Sequence, residues 1–308
     1  MNIFCKGFTW IISEKNSVFI QALSLSLKLK VYVTKNLNQA DLIVISPLII
    51  NKTNYIFVKT VYYLNRMGFI DSKRAIRIIF RLPKSKPILA VSFENLDSHR
   101  FKWFGDLIRN AGLPRLTHWP HSIDPQGCYY PYFYEFLDWE NIKLDNEKYK
   151  RYGKKLSIKK LMAPLDRSDH DKRIDAVCAL IGHVAFPRKQ IIDHLKKTYR
   201  VDVFGKNTKP WDGSKYDLIK KYKYCFVAEN SLGYGYETEK LPEAWNAGCI
   251  PVGYLKCEPS AFNLEAVENV LNKNSNLKTS IHLLKEKPDL KHLFDYFLKN
   301  FNIMTIKN

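Results

Sequence analysis

The 308 residues read as an α/β protein of two Rossmann-like, doubly wound domains facing a cleft. Two series of short, nearly continuous Val/Ile/Leu runs point that way, because strands buried on both faces of a parallel sheet lose the usual alternation. Helical patterns separate the runs within each series, the rhythm of parallel strands joined by crossover helices. A polar, basic and aromatic stretch at 125–173 divides the two series and marks the join.

In the first series the expected strands are NIFCKGF (2–8), KVYV (30–33), DLIVIS (41–46), AIRIIF (75–80) and ILAVSF (88–93), with a helix at 16–29. In the second they are DAVCALIG (175–182), VDVFG (201–205), YCFVAEN (224–230) and CIPVGY (249–254), with helices at 187–198, 214–222 and 240–247. Pro187 suits the first turn of its helix, and Gly248 the left-handed position that closes another. The tail, 281–301, has helical spacing broken at Pro288. It either packs across both domains or lies on a membrane surface as a basic amphipathic helix. The expected limits are 1–160 for the first domain, 161–280 for the second and 281–308 for a helical tail.

Apolar residues make up 46% and charged residues 26%, which excludes a disordered chain. The N-terminus lacks a basic, then apolar, then small-residue signal pattern. The longest apolar run, 40–50, contains Pro47 and is too short to span a bilayer. None of the six cysteines has C-x-x-C spacing, and several sit in apolar runs, as free thiols of a reducing compartment do. A cytoplasmic protein is expected, with peripheral contact at an inner membrane as a further option.

The net charge of +19 calls for an anionic partner, whether nucleic acid, anionic lipid or a phosphorylated substrate. The basic cluster KYKRYGKKLSIKK (148–160) fits lipid headgroups or an exposed linker equally. Nucleic acid finds no helix-turn-helix, zinc-finger or RNP-type signature to support it.

Ligands of open α/β sheets bind beyond the carboxyl ends of the strands, often against helix N-termini. ENSLGYGYETEKLPEAW (229–245) occupies such a place: a strand, a glycine-containing loop, then a helix starting near 238–242. Unpaired N–H groups there favour phosphate, and Lys240 adds a full charge. Glu239 suits ribose or sugar hydroxyls, and Tyr234 and Tyr236 suit stacking or hydrogen bonding beside glycines that allow close approach. Gly-rich loops before helices are common, so an ordinary turn stays open as a reading. Arg188 also starts a helix, where it opposes the dipole unless an anion lies there.

Other groupings carry less. DHD (169–171) matches a metal-binding D-x-D pattern but sits in a charged loop, and no metal site is expected. His118 and His121, flanking Trp119 and Pro120 in HWPH, have no nearby acidic ligand. Ring packing or acceptor contact suits these residues better than zinc. The aromatic run 127–139 offers stacking surfaces for sugars or simply fills core.

YKYCFVAENSLGYGYETEKLPEAWNAGCIPV (222–252) resembles the donor-binding signature of the α1,3/4-fucosyltransferases, a family of inverting enzymes that use GDP-fucose. The matching features are an aromatic-x-Glu-Asn-Ser/Thr run, a Tyr-x-Thr-Glu-Lys element and a Gly-x-Ile/Val-Pro close. VDVFGK (201–206), the Arg188 helix start, VSFENL (91–96) and, more faintly, LPRLTHWP (113–120) are similar to further family segments. The resemblance runs from 88 to 253. Phe93 stands where a glycine is expected before Glu94, Ala228 where an aromatic is usual, and the chain departs from the pattern after Pro251.

The resemblance implies a GT-B fold, with the donor held by the second domain and the acceptor mainly by the first. It implies that Arg188 and Lys240 neutralise the GDP pyrophosphate, that Asn230, Tyr236 and Glu239 hold the nucleotide and fucose, and that Glu94 is the general base. Glu229 is expected to support the loop and Glu237 to face solvent. His118, His121 and Trp119 are candidate acceptor contacts. No cofactor is required beyond GDP-fucose as donor substrate. The implied reaction moves L-fucose by single displacement to O3 of GlcNAc or Glc in an oligosaccharide or lipid-linked glycan, such as a bacterial lipopolysaccharide. The alternatives are the same fold with another nucleotide sugar and, further off, a basic nucleic-acid-binding protein.

Overall fold

A computed structural model describes residues 1–8, 12–49, 54–149, 151–182, 188–205, 208–254, 260–269 and 277–301. Pro187 and Cys257 lie outside the described residues. The chain forms two compact units, Met1–Pro131 with the segment from Asp289, and Tyr132–Pro288.

In the first unit the order is β1 (Asn2–Lys6), α1 (Val18–Leu27), β2 (Tyr32–Val33), β3 (Leu42–Ile45), α2 (Tyr55–Arg66), α3 (Ser72–Phe80), β4 (Ile88–Val91), α4 (Lys102–Asn110), β5 (Arg115–Thr117) and β6 (Cys128–Tyr129). The sheet order is β2-β1-β3-β4-β5-β6, with every neighbouring pair parallel. Strands β3 and β4 are buried throughout, as their unbroken apolar sequences require. Ile43, Ile45 and Ala90 meet Phe80, Trp103 and Phe104 from the covering helices.

AIRIIF (75–80), expected as a strand, belongs to helix α3. The Asp71 side chain accepts the Arg74 N–H as an N-cap, and Ala75, Ile76, Ile79 and Phe80 form one buried helical face. A short apolar run fits either period, and here the cap decides it.

The second unit runs through α5 (Ile158–Leu161), β7 (Ile174–Leu180), α6 (Arg188–Leu195), β8 (Val201–Phe204), α7 (Lys215–Ile219), β9 (Tyr222–Ala228), α8 (Lys240–Asn246), β10 (Ile250–Tyr254) and β11 (Glu268–Asn269). Its parallel sheet is ordered β11-β10-β9-β7-β8. The chain winds outward in both directions from β7 and β9, so the switch point lies between them. Gly248, at φ +75°, closes α8 as expected.

The division between units falls at Pro131/Tyr132 instead of near 160. Residues 132–160 pack onto the second sheet's elements: Tyr152 Oη donates to the Glu243 carbonyl (2.7 Å), and Asn246 Oδ1 accepts the Ser157 N–H (3.1 Å). The basic cluster contributes to this seam. Lys148 pairs with Glu135, Lys154 lies over the Tyr216 ring at 4.1 Å, and Lys160 Nζ donates to the Asn246 carbonyl. Most of the aromatic run is core, including Tyr130, Phe133, Tyr134 and Trp139.

The tail forms α9 (Lys291–Phe301), which returns to the first unit and packs on α1. Leu293, Phe297 and Phe301 are buried, Ser26 Oγ donates to the Phe294 carbonyl (2.9 Å), and Tyr296 Oη accepts the Arg115 N–H (2.7 Å).

Candidate functional site

The carboxyl ends of β7 and β9 open into a cavity of about 490 Å³, whose lining includes Ile181, Arg188, Trp211, Asn230, Glu239 and Lys240. Its place at the switch point is where doubly wound sheets hold ligands. Gly205, at φ +137°, ends β8 beside it; a Cβ there would lie 2.0 Å from the Ile181 carbonyl oxygen, so no side chain fits.

The 229–240 loop is tied from beneath. Buried Glu229 accepts the Thr238 N–H (2.9 Å), the Thr238 hydroxyl (2.8 Å) and Lys240 Nζ (2.8 Å). Lys240 also donates to Thr238 Oγ1 at 2.6 Å. Thr238 and Lys240, two residues apart, therefore both turn back to the carboxylate at the strand's end, and Glu239 between them lines the cavity. This is the physical content of the Thr-Glu-Lys triplet. Glu229 supports the loop as expected. Glu237 does not face solvent: it is buried and accepts the Ala261 N–H (3.1 Å) and the Ser260 hydroxyl. Asn230 is exposed at the cavity, and Tyr236 is buried.

Charge in the lining is unevenly matched. Arg151, Arg188, Lys215 and Lys240 stand against Glu239 and Glu243. Burial pushes Arg188 below its ordinary value, opposed by the charges of Glu229, Tyr236 and Glu239. Its guanidinium reaches the Ala228 carbonyl through Nη2 at 3.4 Å, while Nε is buried with no partner among the described residues. Trp211 Nε1, on the same cavity, is likewise buried without a partner among the described residues. Buried donors are nearly always bonded, so two in one lining without partners among the described residues suit an acceptor-rich ligand.

Lys215 Nζ sits 2.8 Å from Glu243 Oε2 and 3.8 Å from Glu239 Oε1. Burial would raise Glu239, but Lys240 and Lys215 outweigh it and bring the carboxyl down to about 2. Glu243 goes the other way: burial, reinforced by the Glu239 charge and opposed by Lys215, pushes it up to about 7. Lys240 is penalised by burial yet held above its ordinary value by Glu229 and Glu239, so it stays cationic.

In the first unit, Glu94 lies half-buried in the loop after β4, its N–H 3.2 Å from Ser92 Oγ. This loop is stitched to the one after β5. His118 Nε2 accepts the Leu96 N–H (2.9 Å), and Trp119 Nε1 donates to Asp97 Oδ1 (3.0 Å). That corrects two of the three candidate acceptor contacts. His118 is buried, and Trp119, 1% exposed beneath the Arg109 guanidinium, has no free face for a sugar. His121 alone of the three is exposed. Phe93, in place of the expected glycine, packs against Tyr130 with ring centroids 6.0 Å apart.

Elsewhere, Asp169 pairs with Arg173 (2.7 Å) and the His170 ring bonds the Gly248 carbonyl (2.7 Å). Among the described residues, no group of three or more His, Cys, Asp or Glu side chains could hold a metal ion. The described cysteines, Cys5, Cys128, Cys178, Cys225 and Cys249, are free thiols that burial raises above their ordinary value.

The sequence reading missed Lys215, Glu243, Trp211 and Arg151. Arg151 lay within the basic cluster, and Glu243 resembles any acid in a helix's first turn. Lys215 and Trp211 come from a separate helix and the approach to it, where no local pattern signals the cavity.

Parallel doubly wound units, one with a cationic cavity at its switch point, make the architecture that of the GT-B fold. Residues 170–280 match the family model for glycosyltransferase family 10 (fucosyltransferase), C-terminal domain. The matched stretch lies within the second unit, which thus resembles a domain of the family 10, fucosyltransferase type. Among solved structures it is similar to an α1,3-fucosyltransferase with GDP, at 16% identity and a TM-score of 0.56, over 100% of this chain and 90% of that one. Structures described as α1,3-fucosyltransferase alone (17% identity) and with GDP-fucose (16%) give the same TM-score of 0.56 and the same coverage. At these identities the likeness establishes the fold. No curated protein sequence matches the chain.

Proposed function

We propose that this chain is an inverting fucosyltransferase that moves L-fucose from GDP-fucose to a glycan hydroxyl, O3 of GlcNAc or Glc, by single displacement. The observation that carries the reading is the wall of the 490 Å³ cavity, where Arg188 Nε and Trp211 Nε1 are buried donors lacking acceptors among the described residues. A nucleoside diphosphate supplies the acceptor oxygens and negative charge that this wall lacks. The α1,3-fucosyltransferase structures with GDP and GDP-fucose support that choice of donor.

In this reading Arg188 and Lys240 face the pyrophosphate, and Asn230, Tyr236 and ionised Glu239 hold ribose or fucose hydroxyls. As the acceptor oxygen bonds to the anomeric carbon, Glu94 takes its proton. The bond to the diphosphate breaks, and the charge that develops on GDP is met by Arg188 and Lys240. No further cofactor enters the proposal. The acceptor is an oligosaccharide or lipid-linked surface glycan.

A GDP-fucose transfer assay over a glycan panel, with product linkage determined, tests the reaction. Glu94→Gln is expected to abolish transfer while leaving donor affinity within a few-fold. Normal turnover by that variant removes Glu94 from the base role.

A second reading, a different nucleotide-sugar donor, is favoured by Ala228, which lines the cavity where an aromatic is usual. Comparing GDP, UDP and CMP release across a donor panel separates the two.

A further inference from the structure

Helix α2, Tyr55–Arg66, has an apolar face turned inward and another turned out. Val58 and Val61 are buried. On the opposite side Ile56 is 77% exposed, Tyr63 62%, and Met67, just past the helix, 60%. With Thr60, these residues follow i, i+4, i+7, i+11 and lie along one line of the helix. Phe69, in the turn to α3, is 72% exposed, and Tyr55 and Phe57 are also exposed. Single exposed apolar residues need no explanation, but six large ones on one helix and its exit turn do.

The charge around this face has one sign. Between residues 54 and 86 the sequence holds eight Lys or Arg and one acid, Asp71, which caps α3. Arg66, Lys73, Arg74, Arg81 and Lys84 are exposed. An anionic surface with an apolar layer just beneath it matches both properties. Cations meet its headgroups, Tyr55 and Tyr63 suit the interfacial layer, and Ile56, Met67 and Phe69 reach the acyl boundary. Nucleic acid would use the cations but leave Ile56 and Met67 in water. At 12 residues α2 is about 18 Å long, well short of the ~30 Å hydrocarbon core, and no described helix is long and apolar enough to cross a membrane.

We propose that α2 and the turn through Phe69 form a docking surface that lies flat on an anionic lipid bilayer. This surface is separate from the residues assigned to transfer and does not depend on the donor's identity. The test is sedimentation of the full chain with sucrose-loaded vesicles of phosphatidylethanolamine and phosphatidylglycerol, against phosphatidylcholine vesicles. Partitioning is expected to favour the anionic vesicles by about tenfold or more and to weaken with salt. I56E/M67E, at exposed positions, is expected to lose about tenfold in binding with an unchanged melting curve. F69W minus parent is expected to show a blue-shifted fluorescence difference with anionic vesicles alone. Equal binding by parent and I56E/M67E, or no F69W shift, overturns the proposal. So does a dimer that I56E/M67E dissociates without any vesicle binding, which would assign the face to self-association.

Discussion

Both units end a buried strand with the dipeptide Glu-Asn, and they use it in opposite ways. After β9, Glu229 is buried and holds the loop through Thr238 and Lys240, while Asn230 is exposed at the cavity. After β4, Asn95 is the buried partner, its Oδ1 accepting the Asp97 N–H (2.9 Å), and Glu94 is the more accessible residue. A carboxylate under a loop demands a cation, and Lys240 answers it. An amide under a loop needs only neutral donors. The first arrangement leaves a charged, tightly specified site; the second places its carboxylate on the half-buried side of the loop. The same two letters thus give different chemistry, according to which of them the fold buries.

The largest way to break this contrast is to remove the buried member of each pair. Glu229→Ala strands the Lys240 ammonium and the Thr238 N–H, and is expected to cost about 3–5 kcal/mol in urea unfolding. Asn95→Ala loses neutral hydrogen bonds and is expected to cost about 1–2 kcal/mol. Equal losses would show that the two loops are held alike.

Arg188 sharpens the contrast next. Its buried guanidinium, whose Nε has no partner among the described residues, is well matched to a bound anion. Arg188→Met keeps the stem's packing. It is expected to weaken GDP binding by about 10–100-fold, the worth of one or two charge-assisted bonds, while ligand-free stability stays level or rises. A variant that loses stability and keeps its GDP affinity would make Arg188 a structural residue.

How much of this was legible in the sequence varied with the physics involved. The sheet strands were, because burial on both faces leaves unbroken apolar runs such as LIVI and ILAV. Helix α2 was not: with Ile56, Tyr63 and Met67 outside and Val58 and Val61 inside, it has no amphipathic pattern to read. Strands β5 and β6 are three and two residues long, too short for any period. In the site, Arg188, Glu239 and Lys240 were legible from their places after strands. Glu237 was misread because its partners, Ser260 and Ala261, lie more than twenty residues away in sequence. Lys215 was invisible for the same reason: only the packing of α7 beside α8 brings it to Glu243.

The smallest test concerns that lysine and the two carboxylates that share it. Glu239, down at about 2, contributes stability in full above its ordinary 4.5 and loses it progressively as pH falls from there through about 2. Glu243 has the opposite sign: its folded value of about 7 lies above 4.5, so its contribution is complete below pH 4.5 and is lost as pH rises through 7. Glu243→Gln copies the protonated form. Parent and variant should therefore melt together near pH 4.5, with the variant gaining on the order of 1–3 kcal/mol by pH 8. A gap that closes or reverses with rising pH would mean that Glu243 is the ionised partner of Lys215. Glu239, held down by Lys240 and Lys215, would then share the cavity's negative charge with Glu243. The pH profile of that one variant decides whether one carboxylate or both carry charge in the cavity, the question of buried charge that Glu-Asn poses in both units.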